Sequence, residues 1–151
     1  MSMDPYLTAN IALPLLAVGQ AQKEATHNGA LALIDLLLAA RAVDVGVNTP
    51  PTTPQPGQCW IIGAAPTGDW TGRAGQIAGW TDGGWRFISP WAGLGLRVGA
   101  ALSLYRHNGI QWVPPAASAA PSGGTVIDSQ ARIAIATISA ALVAHGLLSA
   151  A

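Results

Sequence analysis

All six tryptophans of the chain lie between positions 60 and 112, in a glycine-rich segment that contains two tight-turn dipeptides. Asp82-Gly83 and Asn108-Gly109 each lie between aromatic and aliphatic residues, and a proline follows each segment. Asp-Gly and Asn-Gly readily adopt the backbone angles of tight β-turns, so each segment is predicted to fold as a β-hairpin. The two hairpins follow one degenerate repeat: an aromatic residue, the turn, a tryptophan and then a proline.

Four parts of the chain differ in composition, and the differences predict an α+β fold. Apolar runs near residues 59–62 and 94–98 bring the total to about six short antiparallel strands, which would form a small barrel or a sandwich. The predicted parts are an N-terminal arm and helix (1–48) for anchoring or assembly, a Trp-rich antiparallel β domain (52–115), a flexible linker (116–125) and a C-terminal oligomerisation helix (126–148).

Both terminal segments have the apolar spacing that is typical of helices. The N-terminal pattern becomes helical near residue 21 and is predicted to end before Pro50, because proline disfavours helical geometry in the preceding residue. Asp128 is expected to cap the C-terminal helix. Apolar residues on that helix recur at alternating spacings of four and three, and Leu142 widens the resulting seam, which consists of Ile127, Ala131, Ala134, Ile138, Ala141 and His145.

Charged residues make up 9% of the chain, against about 25% in ordinary soluble domains. Hydrophobic residues make up 50%, so the charged groups are too few to cover the surface of a monomer. Large apolar surfaces usually mark interfaces, and the composition therefore predicts an obligate homo-oligomer. The alternative is a glycine- and alanine-rich monomer with a neutral polar surface.

The most polar stretch of the first third, residues 20–28, contains the only lysine and the only glutamate, Lys23 and Glu24. Asn and Gln side chains both donate and accept hydrogen bonds, so these residue types fit a polar contact that aligns copies of the chain. The alternative is a solvated first turn of the helix. The predicted assembly interface comprises Gln20, Gln22, Lys23, Glu24, His27 and Asn28, together with Ile127, Ala131, Ile138 and Leu142.

Several classes of protein do not fit the sequence. The net charge of zero leaves no basic patch for a phosphate backbone, so nucleic acid is not an expected partner. The single cysteine, Cys59, is expected to be a small buried residue on a strand, since it provides neither a disulfide nor a metal site. No apolar run is long enough to insert into a membrane.

No catalytic residue, metal or cofactor is expected, and the chain is not predicted to be an enzyme. Asp69 and Asp82 would be the carboxylates of a glycosidase, but both lie in turn sequences, where aspartate is favoured for turn chemistry alone. The three histidines lie far apart in the sequence and have no neighbouring residues at metal-ligand spacing.

The tryptophans and arginines of the β domain allow two interpretations. Tryptophan fills space in a small core, but tryptophan and arginine also dominate binding surfaces. Six tryptophans exceed what a core of this size can bury, so some are expected to be exposed, in turn-like segments. The predicted contacts to a sugar ligand are Trp70, Trp91, Arg86 and Arg106.

One long segment, residues 13–31 (LPLLAVGQAQKEATHNGAL), resembles the opening of the DUF2793 family, which is met in tailed phages, prophages and gene transfer agents of alphaproteobacteria. Gly29 departs from the pattern, since the family is expected to carry glutamate there. The resemblance continues through most of the chain, at residues 57–63, 67–72, 75–80, 85–87, 126–132 and 145–147.

The resemblance implies a structural protein of the virion. Family members are similar to head-spike and tail-fibre components, some of which are implicated in binding host capsule polysaccharide. The implied protein is a homo-oligomeric base or adaptor for host attachment, a trimer or pentamer that is assembled in the host cytoplasm. Its implied partners are other virion proteins, such as the capsid vertex, the portal, the tail or a fibre. The alternative is a carbohydrate-binding module that contacts host capsule polysaccharide through exposed Trp and Arg.

Overall fold

The computed structural model describes residues 4–19 and 21–150. Within them, helix α1 (Lys23–Ala39) and helix α2 (Ser129–Ala144) flank a region of short strands. A single turn of 3₁₀-helix lies at Gly68–Trp70. The strands are β1 (Arg41–Ala42), β2 (Val45–Val47), β3 (Cys59–Ile62), β4 (Ile77–Thr81), β5 (Gly84–Ile88), β6 (Gly95–Val98), β7 (Ser103–His107) and β8 (Trp112–Val113).

The strands form two four-stranded sheets that share one plan. The first sheet has the order β2-β3-β4-β5, and the second has the order β1-β6-β7-β8. Each begins with a short strand paired in parallel, β2 on β3 or β1 on β6, and continues as a three-stranded antiparallel meander. The sheets make an α+β sandwich and do not close into a barrel, so the predicted fold class is confirmed.

The six predicted strands are present, and β1 and β2 occupy a segment in which the helix was expected to continue. Helix α1 ends before Ala40, which takes a left-handed conformation with φ 46° while its N–H donates to the carbonyl of Leu36. Val45 and Val47 follow, and their branched side chains favour an extended backbone. The helix is therefore shorter than predicted, and residues 41–47 belong to the sheets.

Both turn dipeptides lie where the hairpins were predicted. Asp82 and Gly83 join β4 to β5, although the positive φ falls on the next residue, Gly84, at 89°. In the second hairpin, the side-chain oxygen of Asn108 accepts two backbone N–H groups of the turn, each at 2.9 Å. Gly109 takes φ 101° there. Local turn chemistry therefore accounts for both hairpins.

Strand β3 is buried along its whole length. Cys59 and Ile61 pack between the two sheets, in a cluster to which α1, β1, β4 and β6 contribute Leu36, Ala42, Ile77, Leu96 and Val98. The Cys59 thiol donates to the carbonyl of Arg41 at 3.1 Å, and burial raises the pKa of Cys59 to about 12. Cys59 is therefore a buried strand residue, as predicted, and stays a neutral thiol at physiological pH.

The opposite face of the first sheet carries a tryptophan cluster. The rings of Trp60, Trp70 and Trp85 have their centroids 5.1 to 6.2 Å apart. Trp80 lies edge-on to Trp85, with the centroids 4.9 Å apart. Edge-to-face aromatic pairs add to the stabilisation that buried area provides. Four of the six tryptophans therefore form a second core.

Gly79 on β4 allows helix α1 to lie directly against the first sheet. A methyl group at this position would overlap the side chain of Leu36, which is buried. Gly79 is paired with Cys59 on β3 and with Arg86 on β5, so it lies in the middle of the sheet. The absence of a side chain at Gly79 therefore sets the distance between helix and sheet.

Gly79→Ala is expected to destabilise the fold by about 2 kcal/mol, because Leu36 must leave its packed position. The matched control is Gly29→Ala in α1, where an added methyl group meets no atom within 4 Å. Since alanine favours a helix over glycine, the control should gain up to about 1 kcal/mol. Urea unfolding followed by tryptophan fluorescence measures both changes. Equal effects of the two substitutions would contradict the close contact at Gly79.

Candidate functional site

The N-terminal arm folds back on itself before it reaches α1. The backbone N–H of Thr8 donates to the backbone carbonyl of Leu13 at 2.9 Å, and the N–H of Leu15 donates to the backbone carbonyl of Tyr6 at 2.8 Å. The N–H of Leu13 also donates to the Thr8 hydroxyl at 2.8 Å. Residues 4–16, termed the arm hairpin, are therefore held together by their own hydrogen bonds.

Asp35 holds the arm hairpin against α1. Its side chain is 2% exposed. The carboxylate accepts the Thr8 hydroxyl at 2.6 Å, the Ile11 N–H at 2.9 Å, and the backbone and side-chain N–H groups of Asn10 at 3.1 and 2.9 Å. A buried carboxylate costs free energy unless its oxygens are hydrogen-bonded, and here four neutral donors satisfy them. This set of contacts is termed the Asp35 clamp.

The Asp35 clamp also reaches the sandwich. The side-chain amide of Asn10 donates to the carbonyl of Gly57, just before β3, at 3.1 Å. Gly57 has φ 86°, and a methyl group on it would lie 2.8 Å from the Cβ atom of Ala9. The arm hairpin therefore contacts both α1 and the loop ahead of β3, and one carboxylate connects three segments of the chain.

Two residues of the predicted assembly interface bond within their own chain. The Asn28 side chain accepts the N–H of Leu16 at 2.9 Å and donates to its carbonyl at 3.0 Å. A Glu24 carboxylate oxygen accepts the N–H of Gly19 at 3.3 Å. These bonds tie the end of the arm to the first turns of α1, so the structure gives Asn28 and Glu24 partners that the sequence did not predict.

The other polar residues of this stretch are differently placed. Gln22 precedes α1 in a left-handed conformation with φ 65°, and its side chain makes no capping hydrogen bond. Lys23 and His27 are exposed. Gln20 lies outside the described residues. For Gln22, Lys23 and His27 a contact between copies stays a prediction.

An open cavity of about 410 Å³ lies between the arm hairpin, α1 and the β4–β5 turn. Leu7 and Leu15 line it from the arm hairpin, and Gly29 and Ala32 line it from α1. Arg86 lines the sheet side, where its guanidinium makes two long contacts of 3.4 Å with backbone carbonyls of its own hairpin. The Asp35 clamp therefore holds the arm hairpin over a space that apolar side chains do not fill.

Helix α2 is anchored to the second sheet at its C-terminal end. Arg97 of β6 donates to the carbonyls of His145 at 2.7 Å and Leu102 at 3.1 Å. Leu104 of β7 donates its backbone N–H to the carbonyl of Gly146 at 2.8 Å. A methyl group on Gly146 would overlap the Leu102 carbonyl, so the chain passes close to the sheet here.

Helix α2 itself has no buried residue. Asp128 caps its first turn as predicted, since its side chain accepts the N–H of Ala131 at 2.9 Å. One side is partly covered and carries Arg132, Ser139, Leu142 and Val143. At about 100° per residue, the predicted seam lies on the other side of the helix, and all its residues are exposed: Ile127, Ala131, Ala134, Ile138, Ala141 and His145.

The two tryptophans of the predicted sugar contacts differ in exposure. Trp70 is 0% exposed, so the prediction that it contacts a ligand at the surface is wrong. The 3₁₀ turn folds its indole against Trp60 and Trp85, where edge-to-face packing stabilises it. Its indole N–H has no hydrogen-bond partner among the described residues. Trp91 is 53% exposed, as predicted.

The two arginines of the predicted sugar contacts lie at different cavities. Arg106 lines a second open cavity of about 620 Å³, together with Ala92 and Gly93, which directly follow Trp91 in the sequence. Arg86 lines the first cavity, on the other sheet. The structure therefore brings Trp91 and Arg106 to one region and leaves Arg86 apart.

The histidines and acidic residues of the described chain form no metal cluster. Within residues 4–19 and 21–150, no three His, Cys, Asp or Glu side chains lie close enough together to hold a metal ion. His107 is buried, accepts the N–H of Gly109 at 3.2 Å and packs edge-on against Trp112. In the same part of the chain, no helix has both the length and the apolar character required to cross a membrane.

Comparison with known proteins identifies the family. A family model described as "Protein of unknown function (DUF2793)" matches residues 27–113, more than half of the chain. The chain belongs to DUF2793. No curated protein matches the chain.

The DUF2793 match covers the sandwich and most of α1. It contains all eight strands and Asp35, but not the arm residues that bond to Asp35 and not α2. The arm hairpin and α2, which both carry exposed apolar side chains, therefore lie on either side of the matched region.

The Asp35 clamp was not predicted from the sequence. A lone carboxylate in an apolar helix was the available signal, because a buried Asp needs hydrogen-bond donors. Its donors lie 24 to 27 residues earlier in the chain, however, and no local pattern connects them to the helix.

Asp35→Asn replaces one acceptor oxygen with an amide group that faces the donors of the arm hairpin. Loss of these charge-assisted bonds is expected to release the arm and to destabilise the fold by about 2–3 kcal/mol. Trypsin cleavage after Lys23, the only lysine, should become more than about tenfold faster, since about 1.4 kcal/mol already corresponds to a tenfold change. The control, Asp69→Asn, alters an exposed carboxylate away from the arm. Unchanged cleavage of Asp35→Asn would contradict the role of the clamp.

Proposed function

We propose that this DUF2793 protein is a structural protein of a phage or gene-transfer-agent particle. It forms a homo-oligomeric base or adaptor of a head spike or tail fibre, is assembled in the host cytoplasm, and docks on other virion proteins. It acts in host attachment and has no enzymatic activity. The resemblance of residues 13–31 and of the later segments to head-spike and tail-fibre components supports this proposal.

The predicted seam of α2 is exposed along its length, and this surface is termed the bare face. The bare face is the observation that carries the proposal. Ile127 and Ile138, both in the seam, are each 60% exposed or more, and the one charged residue of the helix, Arg132, lies on the partly covered side. An isolated helix of this length that buries none of its side chains is marginal in water. Burial of one isoleucine contributes about 1.5–3 kcal/mol, so contact between α2 helices of several copies would stabilise each of them.

The anchor at Arg97 gives α2 a fixed place on the sandwich. Hydrogen bonds join its C-terminal end to β6 and β7, so the helix is part of the body and not a free tail. The alanines of the seam permit close approach of neighbouring helices. A trimer or pentamer built in this way has the α2 helices at its axis and the sandwiches around them.

Ile138→Glu places a carboxylate in the seam and is expected to dissociate the oligomer, because an unpaired charge is costly to bury. The matched control, Ala140→Glu, adds the same charge at an exposed position of the same helix that is not in the seam, and should leave the oligomer intact. Size-exclusion chromatography with light scattering compares each mass with the 15.3 kDa of one chain. A wild-type protein that is monomeric at micromolar concentration would refute the proposal.

A second candidate function is that of a carbohydrate-binding module that contacts host capsule polysaccharide. The observation that favours it is the exposure of Trp91 beside the cavity that Arg106 lines. Both side chains are exposed, and tryptophan and arginine are the residue types that dominate binding hot spots.

Trp91→Ala is expected to weaken binding of capsule polysaccharide by about tenfold, because truncating a tryptophan hot spot costs more than about 1 kcal/mol. Val126→Ala is the control, since Val126 is 90% exposed and lies in the segment before α2, away in sequence from Trp91 and Arg106. Titration of the wild-type protein, followed by tryptophan fluorescence, measures the affinity. Absence of any fluorescence change with host polysaccharides would leave only the structural function.

A further inference from the structure

We infer that the arm hairpin joins copies of this chain, because it can leave its own α1 and dock on the α1 of a neighbouring copy through the same Asp35 clamp. The inference rests on the proposed function in one respect only, that the chain is a homo-oligomer. It adds a contact that α2 does not supply, between the arm of one copy and the helix of the next.

The arm hairpin carries its recognition groups as a unit. Its two halves are joined by the backbone hydrogen bonds between Thr8 and Leu13 and between Tyr6 and Leu15. All the donors to Asp35 come from its turn, residues 8–11. A hairpin that moves as a whole therefore presents the same donors to the carboxylate of any copy.

The apolar side chains of the arm hairpin gain little cover from their own chain. Tyr6 is 54% exposed and Ile11 is 40% exposed, and the open cavity of about 410 Å³ lies between the hairpin and α1. Exposed apolar groups that lie together are typical of interfaces. In a single chain the arm is held largely by the polar contacts of the Asp35 clamp, which the arm of a neighbouring copy can make equally well.

The hinge between the arm hairpin and α1 is unfavourable in the closed chain. Ala21 and Gln22 both have left-handed φ angles, 56° and 65°, a conformation that a Cβ atom disfavours. Val18, three residues before Ala21, is 89% exposed. An extended hinge relieves both residues, and short hinges under strain favour exchange of a terminal element between copies.

Two chains with complementary defects test the exchange. The acceptor-defective chain carries Asp35→Asn and a normal arm. The donor-defective chain carries Thr8→Val with Asn10→Ala and a normal Asp35. Each is marked by a different mass label, and the two are unfolded together and refolded as a mixture. Hydrogen–deuterium exchange of the arm amides, residues 4–16, reports whether the arm of each labelled chain is docked, because these amides lie outside the hinge.

Exchange predicts that the acceptor-defective chain is protected only in the mixture, because its normal arm then finds a normal Asp35 on the other chain. Its arm amides should take up deuterium about tenfold more slowly than in the same chain refolded alone. The control mixture uses a chain that carries both defects, and it should give no protection. Tryptophan fluorescence first checks that each sandwich is folded. If the Asp35→Asn chain does not fold, Asn28→Ala serves as the acceptor defect instead. It removes the two hydrogen bonds between the Asn28 side chain and the backbone of Leu16.

The outcomes separate this inference from the proposed function. Equal deuterium uptake by the arm in the mixture and alone, with oligomers seen by light scattering, means that the arm docks on its own chain and overturns the inference while the oligomer stands. A protein that is monomeric under the same conditions overturns both.

Discussion

Strand β3 is buried on both faces, and this constraint places the rest of the sandwich. Its alternating residues supply two cores: Cys59 and Ile61 pack between the sheets, and Trp60 and Ile62 pack into the tryptophan cluster. A strand with two apolar faces needs a cover on each side. The second sheet and α1 cover one face, and the 3₁₀ turn that carries Trp70 covers the other.

Both terminal segments depend on the sandwich through polar contacts. Leu36 packs on Gly79 of β4. Asp35 directly precedes Leu36 in α1, so the distance between helix and sheet also places the carboxylate that binds the arm. At the other end of the chain, Arg97 of β6 binds the carbonyl of His145 and so holds α2. In a chain with 9% charged residues, these buried or partly buried charged groups fix two segments that both carry exposed apolar side chains.

Features that are encoded locally could be predicted from the sequence, and those that depend on distant contacts could not. The turn dipeptides and Asp128 act within a few residues, so both hairpins and the cap of α2 were predicted. Strands β1 and β2 have two and three residues, which is too short for a periodic pattern, and their pairing joins distant segments. The exposure of Trp70 was predicted wrongly, because neighbours in the fold and not the turn-like sequence determine its burial. The Asp35 clamp was missed for the same reason.

The central claim is that other copies of the chain cover the bare face of α2. Hydrogen–deuterium exchange of the α2 amides, measured on the intact protein at high and low concentration, tests it most directly. The account predicts slow exchange at high concentration and much faster exchange on dilution, since an uncovered helix of this length opens often. Fast exchange of α2 at every concentration, while the amides of β3 stay protected, would contradict the account.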